Sequence, residues 1–543
     1  MSRTSSQTSR RLHTVQTLTR SGLLALLRPD KYLRMALTVR REGITTATGI
    51  SLAAVRRPHG RAVVDERGEL TWSELNQRCN ALAAALQARP GGAPKSVGIL
   101  CRNHRGFIEA LAAAARVGAD ILLLNTAFGA PQLAGVLERE NPDMVIYDEE
   151  FEAVVDQATT DEHRVDRVVA WADATVDHPT VEGLIAKYQG RSLQRGHASG
   201  KMVLLTSGTT GTPKGARRPG GGDIGSLIAI LDRIPWRTEE ATVIAAPMFH
   251  AWGFGQLIIS ATMACTMVIR RRFDPESTLA QIADTHATGL GVVPVMIDRI
   301  MALPKAVRGR YDTSSLRFVT ASGSRMRADV IIAFMEEFGD VIYNSYNATE
   351  AGLIATATPQ DLRAAPETAG RAVLGTRIRI LDDDNEELPT GEVGRIFVHN
   401  DTMFEGYTTG DTKQYLDGFI SSGDVGRLDA AGRLFVVGRD DEMIVSGGEN
   451  VYPLEVEITL AEHPDVDEAA VIGVDDPEWG QRLVGFVVMH PDTQASVDDL
   501  KKHVKSQLAG YKVPRDIHVI PELPRNSTGK VVKKQLVEQA QSR

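Results

Sequence analysis

From Leu70 onward, stretches of helical periodicity alternate with apolar runs of only four or five residues, and this alternation narrows the possible folds more than any other feature of the chain. Leu75, Cys79, Leu82 and Leu86 share one helical stripe and are followed by the run Val97 to Cys101; Ile108 to Val117 leads in the same way into Ile121 to Leu124. Runs this short and apolar throughout suit strands covered on both faces, as parallel βαβ units require. The pattern returns at Met144 to Tyr147, Val203 to Leu205, Thr242 to Ala246 and Leu290 to Val293, which predicts one large α/β region up to about Val437. Past the charged junction Arg439 to Glu442, helix-like Val451 to Leu460 and Asp498 to Leu508 surround strand-like Ala469 to Val474 and Val484 to Val488, a small α+β domain. With 543 residues, 43% hydrophobic and 24% charged, the chain has room for several cores and fits neither a disordered chain nor a fibrous repeat.

The net charge of -8 gives no support to nucleic-acid binding by the whole chain. Positive charge is instead local: the first 41 residues hold nine Lys or Arg and a single acid, Asp30. A helix over Tyr32 to Arg41 places Leu33, Ala36 and Leu37 on one side and Lys31, Arg34 and Arg41 on the other. Two readings stand for it: contact with an anionic membrane through residues 1–41, or docking on the protein's own surface. The apolar patch Leu23 to Leu27 stops at Arg28, Pro29, Asp30 and Lys31, well short of the roughly 20 residues that span a bilayer, and no small-residue cleavage site follows it. Cys79, Cys101 and Cys265 are too scattered for a disulfide framework, so a cytoplasmic location is expected.

The segment Thr206-Ser207-Gly208-Thr209-Thr210-Gly211-Thr212-Pro213-Lys214-Gly215 follows the strand-like Met202 to Leu205. Its glycines let backbone amides turn toward an anion, its hydroxyls add donors and Lys214 adds a charge, a combination suited to polyphosphate. It is not a P-loop, because Pro213 stands at the second glycine and Gly215 at the Mg2+-binding hydroxyl. No stretch gives the G-x-S-x-G elbow of serine hydrolases.

At this loop, and at further segments in the same order, the chain resembles the adenylate-forming superfamily in its acyl-CoA synthetase branch, notably bacterial fatty-acid:CoA ligases. In Asn344-Ser-Tyr-Asn-Ala-Thr-Glu350 the resemblance implies that Tyr346 packs on adenine, Thr349 contacts the α-phosphate and Glu350 holds Mg2+, with Asn344 also at the nucleotide. Asn347 departs from the glycine common at that position. Ser322-Gly323-Ser324 looks like the adenine-binding turn, where small residues let a purine lie on the backbone. Asp424 and Arg439 match the ribose contacts, Asp441 the hinge, and Ser446-Gly447-Gly448 the passage for coenzyme A. Lys530, closing Pro524-Arg-Asn-Ser-Thr-Gly-Lys530, matches the catalytic lysine. His250 and Trp252, with Val293, Pro294 and Met296, match the acyl pocket.

The implied architecture is a basic extension (1–45), a large N-terminal domain of layered sheets and helices binding ATP and the acid (46–438), and a small mobile α+β domain carrying the lysine (439–543). The implied chemistry has two steps, acyl-AMP formation with release of pyrophosphate and then thioester formation with coenzyme A. ATP and coenzyme A are co-substrates and Mg2+ the cofactor. The segment Pro247 to Phe254 carries no carboxylate for a substrate ammonium, so a medium- to long-chain fatty acid is expected in preference to an amino acid. Aryl or steroid-derived acids, and a carrier protein as acceptor, are the alternatives.

Overall fold

The protein is described by a computed structural model over residues 12–25, 27–159, 165–193, 200–206, 214–218, 224–400, 403–408, 412–446, 449–476, 479–491, 493, 495–526 and 529–541. It forms two compact units, Met1–Glu367 with Val373–Thr376 and Asn400–Lys413, and Thr368–Ala372 with Arg377–His399 and Gln414–Arg543. The second unit thus takes in strands that the sequence pattern had grouped with the large domain.

The first unit holds the parallel strands that the apolar runs imply. In one sheet the order is Asp166–Trp171, Met144–Asp148, Ser96–Leu100, Asp120–Leu123 and Met202–Thr206, all parallel, with Lys214–Arg218 returning antiparallel at the edge. In the other, Ile342–Ala348, Phe318–Ala321, Gly289–Val292, Ala241–Ile244, Thr266–Ile269 and Arg61–Asp65 run parallel; Gly352–Ala357 and Gly68–Thr71 add antiparallel strands. Helices fill the crossovers. Trp72–Gln87 starts at a capping box in which Thr71 and Glu74 satisfy each other's backbone amides. Arg105–Val117 stops at Gly118, whose φ of 78° is left-handed. Among the described residues no helix is long and apolar enough to cross a membrane.

The second unit is antiparallel where the first is parallel. Arg377–Leu381, Gly394–His399, Phe419–Leu428, Arg433–Arg439 and Gly370–Ala372 pair in that order. A separate sheet follows, in which Val466–Asp476 and Gly480–Met489 form a long hairpin and Asp516–Val519 joins in parallel. Helices Pro453–Ala461 and Val497–Gln507 supply Val456, Leu460, Leu500 and Val504 to its core, as the two helical segments predicted there require.

One polar cluster in the first unit's interior was not visible in the sequence. His104 caps helix Arg105–Val117, its Nδ1 accepting from the Gly106 amide at 3.0 Å, and this leaves Nε2–H to donate to Asp148 Oδ1 at 2.7 Å. The other Asp148 oxygen accepts from the Arg102 amide at 2.9 Å. Burial, with Asp148 alongside, pushes the Cys101 thiol well above its usual range. Cys101, His104 and Asp148 have ligand-type atoms within 4.8 Å of one another, yet the hydrogen bonds already engage both imidazole nitrogens and the carboxylate, so the group joins strand ends to a helix start. Asp148→Ala strands the buried His104 N–H, at a cost of about 1–3 kcal/mol, and frees the half-buried Arg102 amide. A clear fall in the urea midpoint is expected, followed by the fluorescence of Trp171, whose ring lies 4.9 Å from that of His104; an unchanged midpoint would contradict the bonding described.

Candidate active site

In the first unit the predicted nucleotide segments come from neighbouring strand ends. Strand Phe318–Ala321 runs into Ser322-Gly323-Ser324 and pairs with Ile342–Ala348 through Ala321 and Asn344. Gly323 has φ of 109°, which a side chain would strain, and a Cβ there would sit 3.7 Å from Val293. Ser322 is buried, whereas Asn344, Tyr346, Thr349 and Glu350 are half-buried. Asn347 lies where the register shifts against Gly352–Ala357 and is not among the residues with positive φ, so the strand needs no glycine there.

The glycine-rich segment is seen at its two ends. Thr206 and Lys214 face each other as the last and first residues of the antiparallel pair, and Ser207, Gly208, Thr209, Thr210 and Gly211 lie outside the described residues. Sequence reasoning missed what ties this hairpin to Glu350. The Thr408 amide donates to Gly215 O at 2.7 Å, and Tyr407 bridges to Ala216. The Tyr407 hydroxyl donates to Glu350 Oε1, and the Phe404 amide donates to Glu350 O at 2.8 Å. Thr408 Oγ1 also donates to Glu140, at 2.7 Å. The segment 403–408 therefore braces the loop's return strand and the carboxylate together. Its only sequence signal is an aromatic pair, Phe404 and Tyr407, in polar surroundings.

The residues predicted for the acid are mostly core. Trp252 is 8% exposed and donates its indole N–H to Val292 O at 2.9 Å; Val293, Pro294 and Met296 are buried, three of these four side chains sharing one cluster. His250 is half-buried and caps helix Ala251–Thr262 through a long 3.5 Å contact with the Trp252 amide. One turn beyond Trp252, Gln256 is buried against Gly291, and its Oε1 has no hydrogen-bond partner among the described residues.

In the second unit Asp424 and Arg439 are register partners, their side chains 3.3 Å apart, with Asp424 buried. Arg439 also donates to Asp441 at 3.1 Å. Burial works against the guanidinium charge, but the bond to Asp441 and the charge of Asp424 outweigh it and raise the pKa. Asp441 lies in the one-turn helix Asp440–Glu442 and is exposed. Ser446 is buried opposite Glu449, and Gly447 and Gly448 lie outside the described residues. Lys530 is exposed in a loop closed by its own amide donating to Asn526 Oδ1 at 3.0 Å and by Asn526 donating to Lys530 O at 2.9 Å. Lys533, which sequence reasoning passed over, is clamped between Glu442 at 2.8 Å and Glu457 at 3.0 Å. Burial disfavours its charge, but the two carboxylates hold it protonated.

A layered α/β unit with the predicted nucleotide segments at its strand ends, and a second unit carrying the predicted lysine loop, form the arrangement expected of an adenylate-forming enzyme. Residues 51–408 match the AMP-binding enzyme family and residues 455–530 its C-terminal domain; the chain belongs to this family, in the acyl-CoA synthetase branch of the adenylate-forming superfamily. It is 32% identical to a feruloyl-CoA synthase of an Amycolatopsis species, over 89% of this chain and 98% of that one. It is 30% identical to an indoleacetate–CoA ligase of Aromatoleum aromaticum, over 86% and 92%. Among solved structures it resembles the amide bond synthetase McbA of Marinactinospora thermotolerans, with a TM-score of 0.80 at 25% identity, covering 91% of this chain and 99% of that one.

Proposed function

We propose that this protein is a cytoplasmic ATP-dependent acid:CoA ligase and that its acid is a medium- to long-chain fatty acid. The observation that carries the ligase reading is the bracing of Glu350 and the glycine-rich hairpin by the segment 403–408. It joins a carboxylate suited to a phosphate-bound cation to a loop suited to the phosphates. Mg2+ is usually held by one or two carboxylates plus substrate phosphates, and Glu350, oriented by Tyr407 and next to Thr349, is a donor of that kind. When bound, the ion would offset charge on the triphosphate.

In this reading the loop Thr206 to Lys214 retains the outgoing pyrophosphate, Tyr346 packs on adenine, and Asp424 accepts from the ribose hydroxyls with Arg439 beside it. The substrate carboxylate attacks the α-phosphorus, the bond to the bridging oxygen breaks, and pyrophosphate leaves as Lys530 neutralises the developing charge. The thiolate of coenzyme A, guided by Ser446 to Gly448, then attacks the acyl carbon and displaces AMP. Asp441 is the proposed hinge between the two steps. Tyr407→Phe should raise the Michaelis constant for MgATP between about 10- and 100-fold, since hydrogen bonds to charged groups are worth about 1.5–3 kcal/mol. Titration of the steady-state rate with MgATP checks this, and a wild-type constant would show that the hydroxyl does not orient Glu350.

The fatty-acid choice rests on the apolar Trp252, Val293, Pro294 and Met296 and on the lack of an acid in Pro247 to Phe254. An aryl acid is the second reading. It is supported by the buried Gln256 Oε1, which a hydroxyl on such an acid could satisfy, and by the similarity to a feruloyl-CoA synthase and an indoleacetate–CoA ligase. AMP release from a panel of saturated acids of graded length, set against hydroxycinnamates and indoleacetate, separates the two. Preference for the saturated acids supports the first reading; preference for aryl acids, weakened by Gln256→Leu, replaces it with the second.

A further inference from the structure

Helix Pro29–Glu42 turns a mixed side inward, where half-buried Met35 and Val39 stand with Lys31, Thr38 and Glu42. Thr38 is its buried residue, Lys31 Nζ donates to Arg56 O at 2.6 Å, and the carboxylate of Glu42 accepts from Ser51 Oγ at 2.7 Å. Leu33 and Leu37, one turn apart and far around the helix from Thr38 and Glu42, are 64% and 54% exposed. A helix that merely covered its own protein would be sorted the other way, leucines in and charges out.

We propose that the outward ridge of Leu33 and Leu37 is a docking surface for an anionic membrane. The surrounding chain has the same character. Seven of the twelve large hydrophobic side chains that are exposed among the described residues fall between residues 12 and 44, including Leu24, Tyr32 and Ile44. The Tyr32 hydroxyl bonds to Ala25 O and so holds the segment of Leu24 beside the helix. The exposed charged groups flanking this ridge are basic, Arg28, Arg34, Arg40 and Arg41, although the whole chain carries a net charge of -8; Arg34 and Arg41, which the sequence pattern set opposite the leucines, stand beside them, and only Lys31 turns inward. The acids nearby are Asp30, paired with Arg28 and Arg34, and Glu42, whose carboxylate is buried.

An apolar ridge with basic flanks fits the boundary between headgroups and acyl chains, where leucines enter the hydrocarbon and arginines meet phosphates. A second copy of the chain fits less well. A symmetric pairing through this ridge would bring the arginines of one copy toward those of the other, and like charges oppose such an interface. The inference is independent of which acid the enzyme activates.

The test is sedimentation of the full chain with vesicles of phosphatidylcholine alone and of phosphatidylcholine mixed with phosphatidylglycerol. Binding is expected on the mixed vesicles, weak on the neutral ones, and reversed by high salt. Leu33→Gln with Leu37→Gln should lower partition by roughly tenfold or more while leaving thermal unfolding unchanged, because both side chains are already in water. Arg40→Gln should lower it by roughly fivefold. Three results would overturn the proposal: no retention on mixed vesicles, full retention of the double variant, or a concentration-dependent dimer that the double variant dissociates while vesicle binding is lacking.

Discussion

Lys530→Ala is expected to slow acid-dependent ATP–pyrophosphate exchange by roughly 100-fold or more, the scale of losing one preorganised donor to a transition state. The second step should survive: given synthetic acyl-adenylate and coenzyme A, the variant should form thioester at close to the wild-type rate. The local structure makes the comparison clean. The Lys530 loop is closed by backbone and Asn526 contacts, and the Arg525 guanidinium donates to Gly529 O at 2.6 Å. The following helix, Lys533–Gln541, is anchored by Lys533 between Glu442 and Glu457. A lost exchange rate therefore reports on charge in the first step. Equal impairment of both steps would contradict a role for the lysine confined to adenylation.

Asp424→Ala should raise the Michaelis constant for ATP between about 10- and 100-fold, since a bond to a charged acceptor is worth about 1.5–3 kcal/mol. The strand pair should persist, because Arg439 keeps its contact with Asp441 and the ladder of Phe419–Leu428 with Arg433–Arg439 is made by backbone. Asp424→Asn keeps the shape but not the charge and should fall between. The readout is the dependence of exchange rate on ATP at saturating acid; an unchanged constant would place the ribose elsewhere.

What the sequence made legible follows from which residues are covered on both sides. Ser96–Leu100, Asp120–Leu123 and Met144–Asp148 are buried almost throughout, so their apolar runs stood out and the parallel sheet could be read. Arg433–Arg439 is buried at only two of its seven positions and Gly394–His399 at three of its six; their apolar runs are short or broken, and this antiparallel set of strands was not recognised. Periodicity gave helix Pro29–Glu42 its exposed leucines as one group but wrongly kept Lys31 with Arg34 and Arg41, since the inward turn of Lys31 and Glu42 depends on Arg56 and Ser51, outside the helix. Tyr407 and Asp148 were missed for a related reason. Each acts on a partner 57 or 44 residues away, Glu350 or His104, and no local pattern carries such a contact.

The central claim is that the acid is activated on the α-phosphate of ATP before it meets coenzyme A. The most direct measurement uses an acid labelled with heavy oxygen in both carboxylate positions, incubated with ATP, Mg2+ and coenzyme A, with the products weighed by mass spectrometry. One heavy oxygen in each AMP, one retained in each thioester, and pyrophosphate as the other product is the predicted result. Unlabelled AMP, or ADP and labelled phosphate in place of AMP and pyrophosphate, would contradict it.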